Sequence, residues 1–384
     1  MSENTNRAIK FHEPYISGGE KANLEAVFDN DVFAGNGPFT KKVQSFLEQR
    51  YEIPHVLLTH SCTGALELSA LLLDLEPGDQ VILPSYNFVS AASAFMRAGA
   101  ELVFCEIDPA SMNIDIDDAT SRMTERTRAI IPVHYGGIAV DLDRLGECCA
   151  ERDVLIIEDA AQGLDASYGE RWLGTISPLA TMSFHETKNI HCGLGGALFI
   201  NDADYFERAE DIWERGTNRT KMFRGLVDKY SWVDTGSSFY PSELQAAFLL
   251  AQLESLDSMK AQRRVIYEHY SSTLSDLAMK GLFALPTIPA EAQLNFHSFF
   301  IICNSIDECD ALREYLLGIG IQAFIGYVPL HSSKMGQSLG NKPADLPVTE
   351  EYAHRVLRLP FHCRLDNDDL DYVCDGINRF FQHS

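Results

Sequence analysis

The chain has 384 residues, 46% of them hydrophobic, and sets 55 Asp and Glu against 31 Lys and Arg, for a formal net charge of −24. Such an excess of negative charge repels polyphosphate backbones and anionic bilayers, which excludes general nucleic-acid binding and membrane docking as expected activities. No run approaches the roughly 20 apolar residues of a membrane span, and at roughly 100–200 residues per domain the length suits two domains, or one large α/β domain with an appendage.

The opening stretch MSENTNRAIKFHEP lacks the apolar run of an export signal, so a cytoplasmic protein is expected. The nine cysteines contain no C-x-x-C pair and read as reduced thiols. From about residue 55 to 202, short apolar runs alternate with helical patterns, as βαβ units and a mainly parallel sheet do in one dimension. The runs fall at residues 56–58, 81–83, 102–104, 129–131, 154–157, 180–182 and 197–200. Their unbroken apolarity predicts strands covered on both faces. Residues 64–75 and 90–99 carry helix-type spacing. A loop over 215–242 precedes a long helical pattern from 243 to about 280, which would link two domains. Beyond it, strand candidates at 298–302 and 322–328 alternate with helices at 307–317, 350–357 and 366–381, and 336–347 is the most loop-like stretch. The expected division is a large domain over 1–245 and a linking helix with a smaller α/β domain over 246–384.

Four stretches could carry chemistry. In THSCTGALELSALLL (59–73) an apolar strand runs into small hydroxyl residues and then a helix. Free N–H groups and the positive dipole end of such a helix would let Ser61, Thr63 and Gly64 cradle a phosphate, with an ordinary N-cap as the competing reading. In VLIIEDAAQG (154–163) a buried strand ends in two acids, at the strand end where open α/β sheets bind ligands. Asp159 and Gln162 could hold a heterocycle, the acid on a ring nitrogen and the amide on a substituent; a helix-capping Asp is the alternative.

MSFHETKNIHCGLGGALFIND (182–202) places Lys188 in a polar turn between apolar strands, followed by Gly193, Gly195 and Gly196. A lysine held this way suits a Schiff base if burial or a neighbouring cation lowers its basicity; a solvated loop lysine is the bland reading. His185-Glu186 resembles the start of H-E-x-x-H, but His191 comes six residues after His185, so no metal site is expected. Finally, 215–232 gathers Arg215, Arg219, Lys221, Arg224 and Lys229 against Asp228 alone, a basic island suited to a phosphorylated small molecule, or simply a solvated face.

In sequence order, S-C-T-G-A, P-S-Y-N-F-V, E-D-A-A-Q-G, S-F-H-E-T-K-N and S-E-L-Q-A-A resemble the DegT/DnrJ/StrS-type sugar aminotransferases. These are pyridoxal-phosphate enzymes of the aspartate aminotransferase fold (fold type I). The likeness runs from GNGPFTKKVQSFLEQRY to LRLPFH, nearly the whole chain.

The resemblance implies that Lys188 bonds to pyridoxal 5'-phosphate and carries the proton between substrate and cofactor carbons. It implies that Asp159 keeps the pyridine nitrogen protonated, that Gln162 contacts the phenolic oxygen, that Phe88 stacks on the ring, and that Thr63, Gly64 and Ser183 hold the phosphate. It further implies a homodimer with shared active sites, in which the 215–240 loop reaches the partner's ligand. Many relatives carry Glu where this chain has Leu194, and Asn-x-Arg where it has Ser238-Phe239-Tyr240, which leaves Ser238 as the candidate for the cross-subunit phosphate contact.

Arg219, Lys229, Tyr327 and His331 are the expected substrate contacts. The implied reaction is amination by L-glutamate of a nucleotide 4-keto-6-deoxyhexose, dTDP-4-dehydro-6-deoxy-D-glucose above others, for surface polysaccharide. The alternatives are another nucleotide keto sugar, amination at the 3-position, or a catalytically silent cofactor-binding or regulatory protein.

Overall fold

The computed structural model describes residues 8–383. The first seven residues, half of the stretch read as lacking an export signal, lie outside the described residues. Nine strands precede the long helices: β1 (His55–Thr59), β2 (Gln80–Pro84), β3 (Glu101–Cys105), β4 (Thr127–Ile130), β5 (Leu155–Asp159), β6 (Ser167–Tyr168), β7 (Arg171–Trp172), β8 (Leu179–Ser183) and β9 (Gly196–Ile200). Seven of them form one sheet in the order β1-β9-β8-β5-β4-β2-β3. Every expected apolar run in this region is a strand of that sheet.

The pairs β2–β3, β2–β4, β4–β5 and β5–β8 are parallel, while β9 runs antiparallel to both β1 and β8. β2, β8 and β9 are buried at every residue, which is why their sequences show no alternation. A Cβ built on Gly196 would fall 2.4 Å from Cys62 N and from Ser61 C, so only glycine lets β9 pass the turn that starts helix Cys62–Leu72.

The remaining strands are β10 (Phe283–Ala284), β11 (Ala292–Gln293), β12 (Phe300–Cys303), β13 (Phe324–Ile325) and β14 (Val356–Arg358). An antiparallel sheet of order β10-β12-β14-β13 forms a second layer, with helices Ile306–Gly318 and Asn367–His383 contributing to its core. The small sheet β11-β6-β7 ties this region to the first. The first described residues also belong here, since Ile9 bridges Ile321 and the Phe11 N–H donates to Gln322 Oε1 at 3.1 Å.

Three expectations change. The long helical pattern is two helices, Glu243–Glu254 and Leu256–Met279, separated at Ser255. The expected helix at 350–357 is helix Pro347–Ala353 followed by β14: Val356 and Leu357 are fully buried between β12 and β13, and strand pairing overrides helical spacing there. The loop-like stretch 336–347 includes the end of helix Lys334–Ser338.

Alternation along β5 separates its two acids. Glu158 faces away from the ligand side and is fully buried. Its Oε1 accepts the Ile176 and Ser177 N–H groups at 3.1 and 2.8 Å, and its Oε2 accepts the Gly174 N–H at 2.7 Å and His134 Nε2 at 3.0 Å. The Val140 N–H donates to His134 Nδ1, which assigns the ring hydrogen to Nε2. Glu158→Gln puts an amide hydrogen where only donors converge. We expect it to lower unfolding free energy by about 3 kcal/mol in denaturant titration; a change within about 0.5 kcal/mol, the usual range of a surface substitution, contradicts this account.

Candidate active site

A cavity of about 680 Å³ opens beside the carboxyl ends of β2, β5 and β8, and residues from the second sheet close its other side. Lys188 enters it from the loop joining β8 to β9. The loop is clamped at its base: the Phe184 N–H donates to Gly195 O at 2.8 Å, the Glu186 N–H to Gly193 O at 2.9 Å, and the Lys188 N–H to His185 O at 2.9 Å. Burial lowers the Lys188 pKa below its ordinary 10.5, opposed by the charges of Cys62 and Asp159. A buried amine that gives up its proton easily is a nucleophile, as a Schiff-base lysine requires.

Asp159, the last residue of β5, lines the same cavity. Burial raises its pKa, while the Ala161 N–H and the Lys188 charge act the other way. Gln162 accepts the Gly136 N–H on Oε1 at 2.8 Å, which fixes its amide, and Nε2 donates to the Tyr327 hydroxyl at 3.2 Å. Tyr327 packs against Tyr86, Tyr135 and Phe88. Phe88 stands at the cavity wall, 56% exposed. Thr63 Oγ1 and Ser90 Oγ lie 2.7 Å apart, and Ser183 Oγ accepts the His185 N–H at 3.4 Å. Six expected residues, Thr63, Phe88, Asp159, Gln162, Ser183 and Lys188, and also Tyr327, therefore line one cavity.

The others do not. The Gly64 N–H caps its own helix by donating to Ser61 Oγ at 3.1 Å, and Gly64 lies behind the wall. His331, expected at the substrate, is fully buried elsewhere: Nδ1 meets Ser85 Oγ at 2.7 Å and Nε2 meets Pro343 O at 3.3 Å. Since the Pro343 carbonyl can only accept, Nε2 carries the hydrogen of the neutral ring; the Ser85 hydroxyl donates to Nδ1 and in turn accepts the His331 N–H, so the ring braces the loop after β2. Ser238 lies outside the cavity on the exposed 215–238 stretch, 3.3 Å from Arg215 Nη2. Arg219 and Lys229 lie outside it too, Arg219 over the rings of Phe223 and Tyr230.

The basic island is largely answered by acids of helix Phe206–Trp213 and the residue after it. Lys221 pairs with Glu207 and Asp211, Arg224 with Glu210, and Arg215 with Glu214.

The cavity also contains residues that sequence reasoning passed over. Asn87 accepts the Phe88 N–H on Oδ1 at 2.6 Å, which leaves Nδ2 buried without a partner beside Asp159. Its position just past the carboxyl end of β2 was the available signal. Arg263, His297 and Arg358 come from three distant segments that no local pattern connects. Burial pushes Arg263 down to about 10; Nε donates to Phe296 O at 2.8 Å and Nη2 to His297 O at 2.5 Å. His297 is held neutral by burial, well below its ordinary value, with Nδ1 3.1 Å from Asn189 Oδ1.

A family model, the DegT/DnrJ/EryC1/StrS aminotransferase family, matches residues 14–378. The chain belongs to this family. It is 30% identical over 382 residues to the dTDP-4-dehydro-2,3,6-trideoxy-D-glucose 4-aminotransferase of Saccharopolyspora spinosa, covering 98% of this chain and 97% of that protein. A pleiotropic regulatory protein of Geobacillus stearothermophilus is 30% identical over 349 residues, 90% of each chain. Among solved structures, the aminotransferase TlmJ of Streptoalloteichus hindustanus superposes with a TM-score of 0.89 at 28% identity, over 98% of this chain and 99% of that one.

The fold is accordingly that of the fold type I aminotransferases, and the chain is a sugar aminotransferase of a family that acts on nucleotide sugars with pyridoxal phosphate. The cavity fits that cofactor: it offers an amine of lowered basicity, a buried acid and an unpartnered amide N–H₂ on one wall.

Because folding lowers the Lys188 pKa, its amine is neutral in a pH window below 10.5 where a free lysine is charged. The rate of pyridoxal phosphate capture by the apoprotein should rise through a midpoint below 10.5. A midpoint at or above that value means the amine is not desolvated.

Proposed function

We propose that this aminotransferase moves the amino group of L-glutamate to C4 of dTDP-4-dehydro-6-deoxy-D-glucose, giving dTDP-4-amino-4,6-dideoxy-D-galactose for surface polysaccharide. The observation that carries the reading is Lys188 and Asp159 facing one another's charge in a single buried cavity. The Saccharopolyspora relative, a 4-aminotransferase of a dTDP 4-dehydro sugar, supports the nucleotide and the position. Another nucleotide keto sugar, or C3, is the alternative. The regulatory name of a second relative raises the catalytically silent reading, and the retention of Lys188 and Asp159 argues against it.

Bound pyridoxal phosphate supplies an electron sink for the carbon that loses its proton. Lys188 is the catalytic base in this reading: its neutral amine takes the proton from the donor carbon and returns it on the cofactor side. Asp159 holds a proton on the ring nitrogen, and its buried charge is stabilised by that partner. Gln162 has one amide hydrogen left after Tyr327, and we assign it to the ring's phenolic oxygen. Phe88 covers the ring, and Thr63 and Ser183 take the phosphate at the start of helix Cys62–Leu72 with Gly64 shaping the turn. Tyr327 faces the sugar.

We place Arg219, Lys229 and Ser238 in the active site of a partner subunit. Lying outside their own cavity, they share a stretch that exposes Phe223, Leu226, Tyr230 and Trp232, the last to 81%. A homodimer that buries these side chains would bring the basic residues to the other subunit's ligand. The division into domains at 1–245 and 246–384 belongs to the same reading. So does a cytoplasmic setting, which suits nine free thiols; no described helix is long and apolar enough to cross a membrane.

Borohydride reduction of the protein mixed with pyridoxal phosphate should label the peptide containing Lys188, and Lys188→Ala should abolish turnover. Product NMR with dTDP-4-dehydro-6-deoxyglucose should place the amine on C4; an amine on C3, or retained turnover by Lys188→Ala, defeats the assignment. Arg219→Ala or Lys229→Ala should raise KM for the sugar nucleotide more than for glutamate, whereas equal effects would mark a solvated face. Mixing inactive Lys188→Ala subunits with Arg219→Ala subunits should give one site per heterodimer with the wild-type KM for the sugar nucleotide.

A further inference from the structure

His297 lines the cavity and takes no part in the chemistry described above, yet three separate contacts fix it. The residue before it, Phe296, has φ 56°, a left-handed backbone that bulky side chains rarely adopt and that persists only where the surroundings enforce it. Arg263 enforces it. Only 5% exposed and packed on the Phe361 ring at 4.6 Å, this arginine donates from Nε to Phe296 O and from Nη2 to His297 O. From the other side, Asn295 Nδ2 donates to the carbonyls of Gln162 and Leu164 at 2.7 and 2.8 Å, tying the segment to the residues that follow β5.

The third contact sets the ring's hydrogen. Asn189, next in the chain to Lys188, donates from Nδ2 to Asn295 O at 3.0 Å; a carbonyl can only accept, so the amide oxygen is the atom that meets His297 Nδ1 at 3.1 Å. Nδ1 therefore carries the hydrogen. Burial and the surrounding cations Lys188, Arg263, Arg358 and His12 keep the ring neutral, so Nε2 presents a bare lone pair. It has no hydrogen-bond partner among the described residues.

An acceptor in this position calls for a hydrogen, and Lys188 brings one. Of the charges acting on the ring, that of Lys188 is the largest, ahead of Arg263, which grips the carbonyl of His297 itself. Amine and ring also share a tether, since Asn189 holds the ring and follows Lys188 directly. When Lys188 takes the proton from the donor carbon, its lone pair forms the new N–H bond, the C–H electron pair passes to the bound cofactor, and a neutral amine becomes an ammonium among other cations. A neutral acceptor beside it stabilises that charge, where a further cation would oppose it.

We infer that His297 Nε2 accepts a hydrogen of the Lys188 amine, aiming the amine's lone pair at the carbon that loses its proton and steadying the ammonium that results. This rests on the transaminase reading and adds a positioning residue to it. The ring itself gains and loses no proton. Because Lys188 serves both half-reactions, the contact acts in both.

Two measurements test it. In the holoenzyme, heteronuclear NMR of the imidazole nitrogens should show a hydrogen on Nδ1 and none on Nε2, and Asn189→Ala should abolish that preference. Stopped-flow absorbance then follows the pyridoxal form with glutamate, or with glutamate deuterated at its α-carbon, and the pyridoxamine form with the keto sugar. His297→Phe should slow both half-reactions about tenfold or more, as loss of a hydrogen bond to a charged group does, with glutamate affinity within about threefold and an isotope effect no smaller than that of the wild type. His297→Gln, which restores an acceptor, should recover part of the rate.

A hydrogen on Nε2 of the wild-type ring overturns the inference, whether or not the phenylalanine variant folds. Unchanged rates in His297→Phe do the same. So does a loss confined to glutamate affinity or to one half-reaction, which would make the ring a ligand contact, or a slowed reaction whose isotope effect has shrunk, which marks damage to another step. Failure of the transaminase reading shows differently: the wild-type protein would be inert in both half-reactions while its imidazole spectrum stayed as described.

Discussion

The site depends on a carboxylate that never touches a ligand. Glu158 and Asp159 are neighbours in sequence, and the pleat of β5 sends them to opposite faces. Four donors converge on Glu158: three backbone N–H groups from residues 174–177 and the His134 ring. That cluster pins the end of β5 to the loop before β8 and to the segment after β4, where His134 also takes a backbone bond to Asp159 O. With the strand end fixed from behind, Asp159 is held facing the cavity although burial disfavours its charge. Strain of this sort is stable only where the surrounding hydrogen bonds leave no alternative conformation.

The same division of labour resolves the protein's charge. A net −24 argues against polyanions, yet both proposed ligands are anions. The basic island at 215–229 is not the answer within one subunit, because three of its five cations are paired with acids at residues 207–214. The positive charge that matters within the subunit lines the cavity: Arg263 and Arg358, with the Lys188 amine lowered in basicity and His297 held neutral among them. Burial amplifies these few charges relative to the many exposed acids, which solvent screens.

How much of this could be read from the sequence follows from how far apart the participating residues lie. Contiguous features were legible: the hydroxyl-rich turn after β1, the strand-end acid, the lysine between two apolar strands, and all seven strands of the main sheet. Each is a local pattern, a period or a turn. Residues that meet only through tertiary packing were not legible. Arg358 followed directly on a stretch, 350–357, that read as a helix, and only the pairing of β14 with β12 and β13 makes it a strand-end residue lining the cavity. His331 sits four residues from Tyr327 and was grouped with it, but the chain between them turns, sending one side chain to the site and the other to Ser85. Ser238, Arg219 and Lys229 lie outside their own subunit's cavity, and nothing in the local pattern around them signalled that.

The absence of a side chain at Gly196 binds two functional segments into a single mechanical part. β9 leaves the Lys188 loop and passes against the Ser61–Cys62 backbone with no room for a methyl group. The segment that would grip the phosphate and the one that supplies the amine thus cannot drift apart or slide independently. A residue that touches no ligand thereby sets the spacing between the two ends of a bound cofactor. Enlarging it would act as a wedge, felt as lost cofactor retention long before it was felt as lost chemistry.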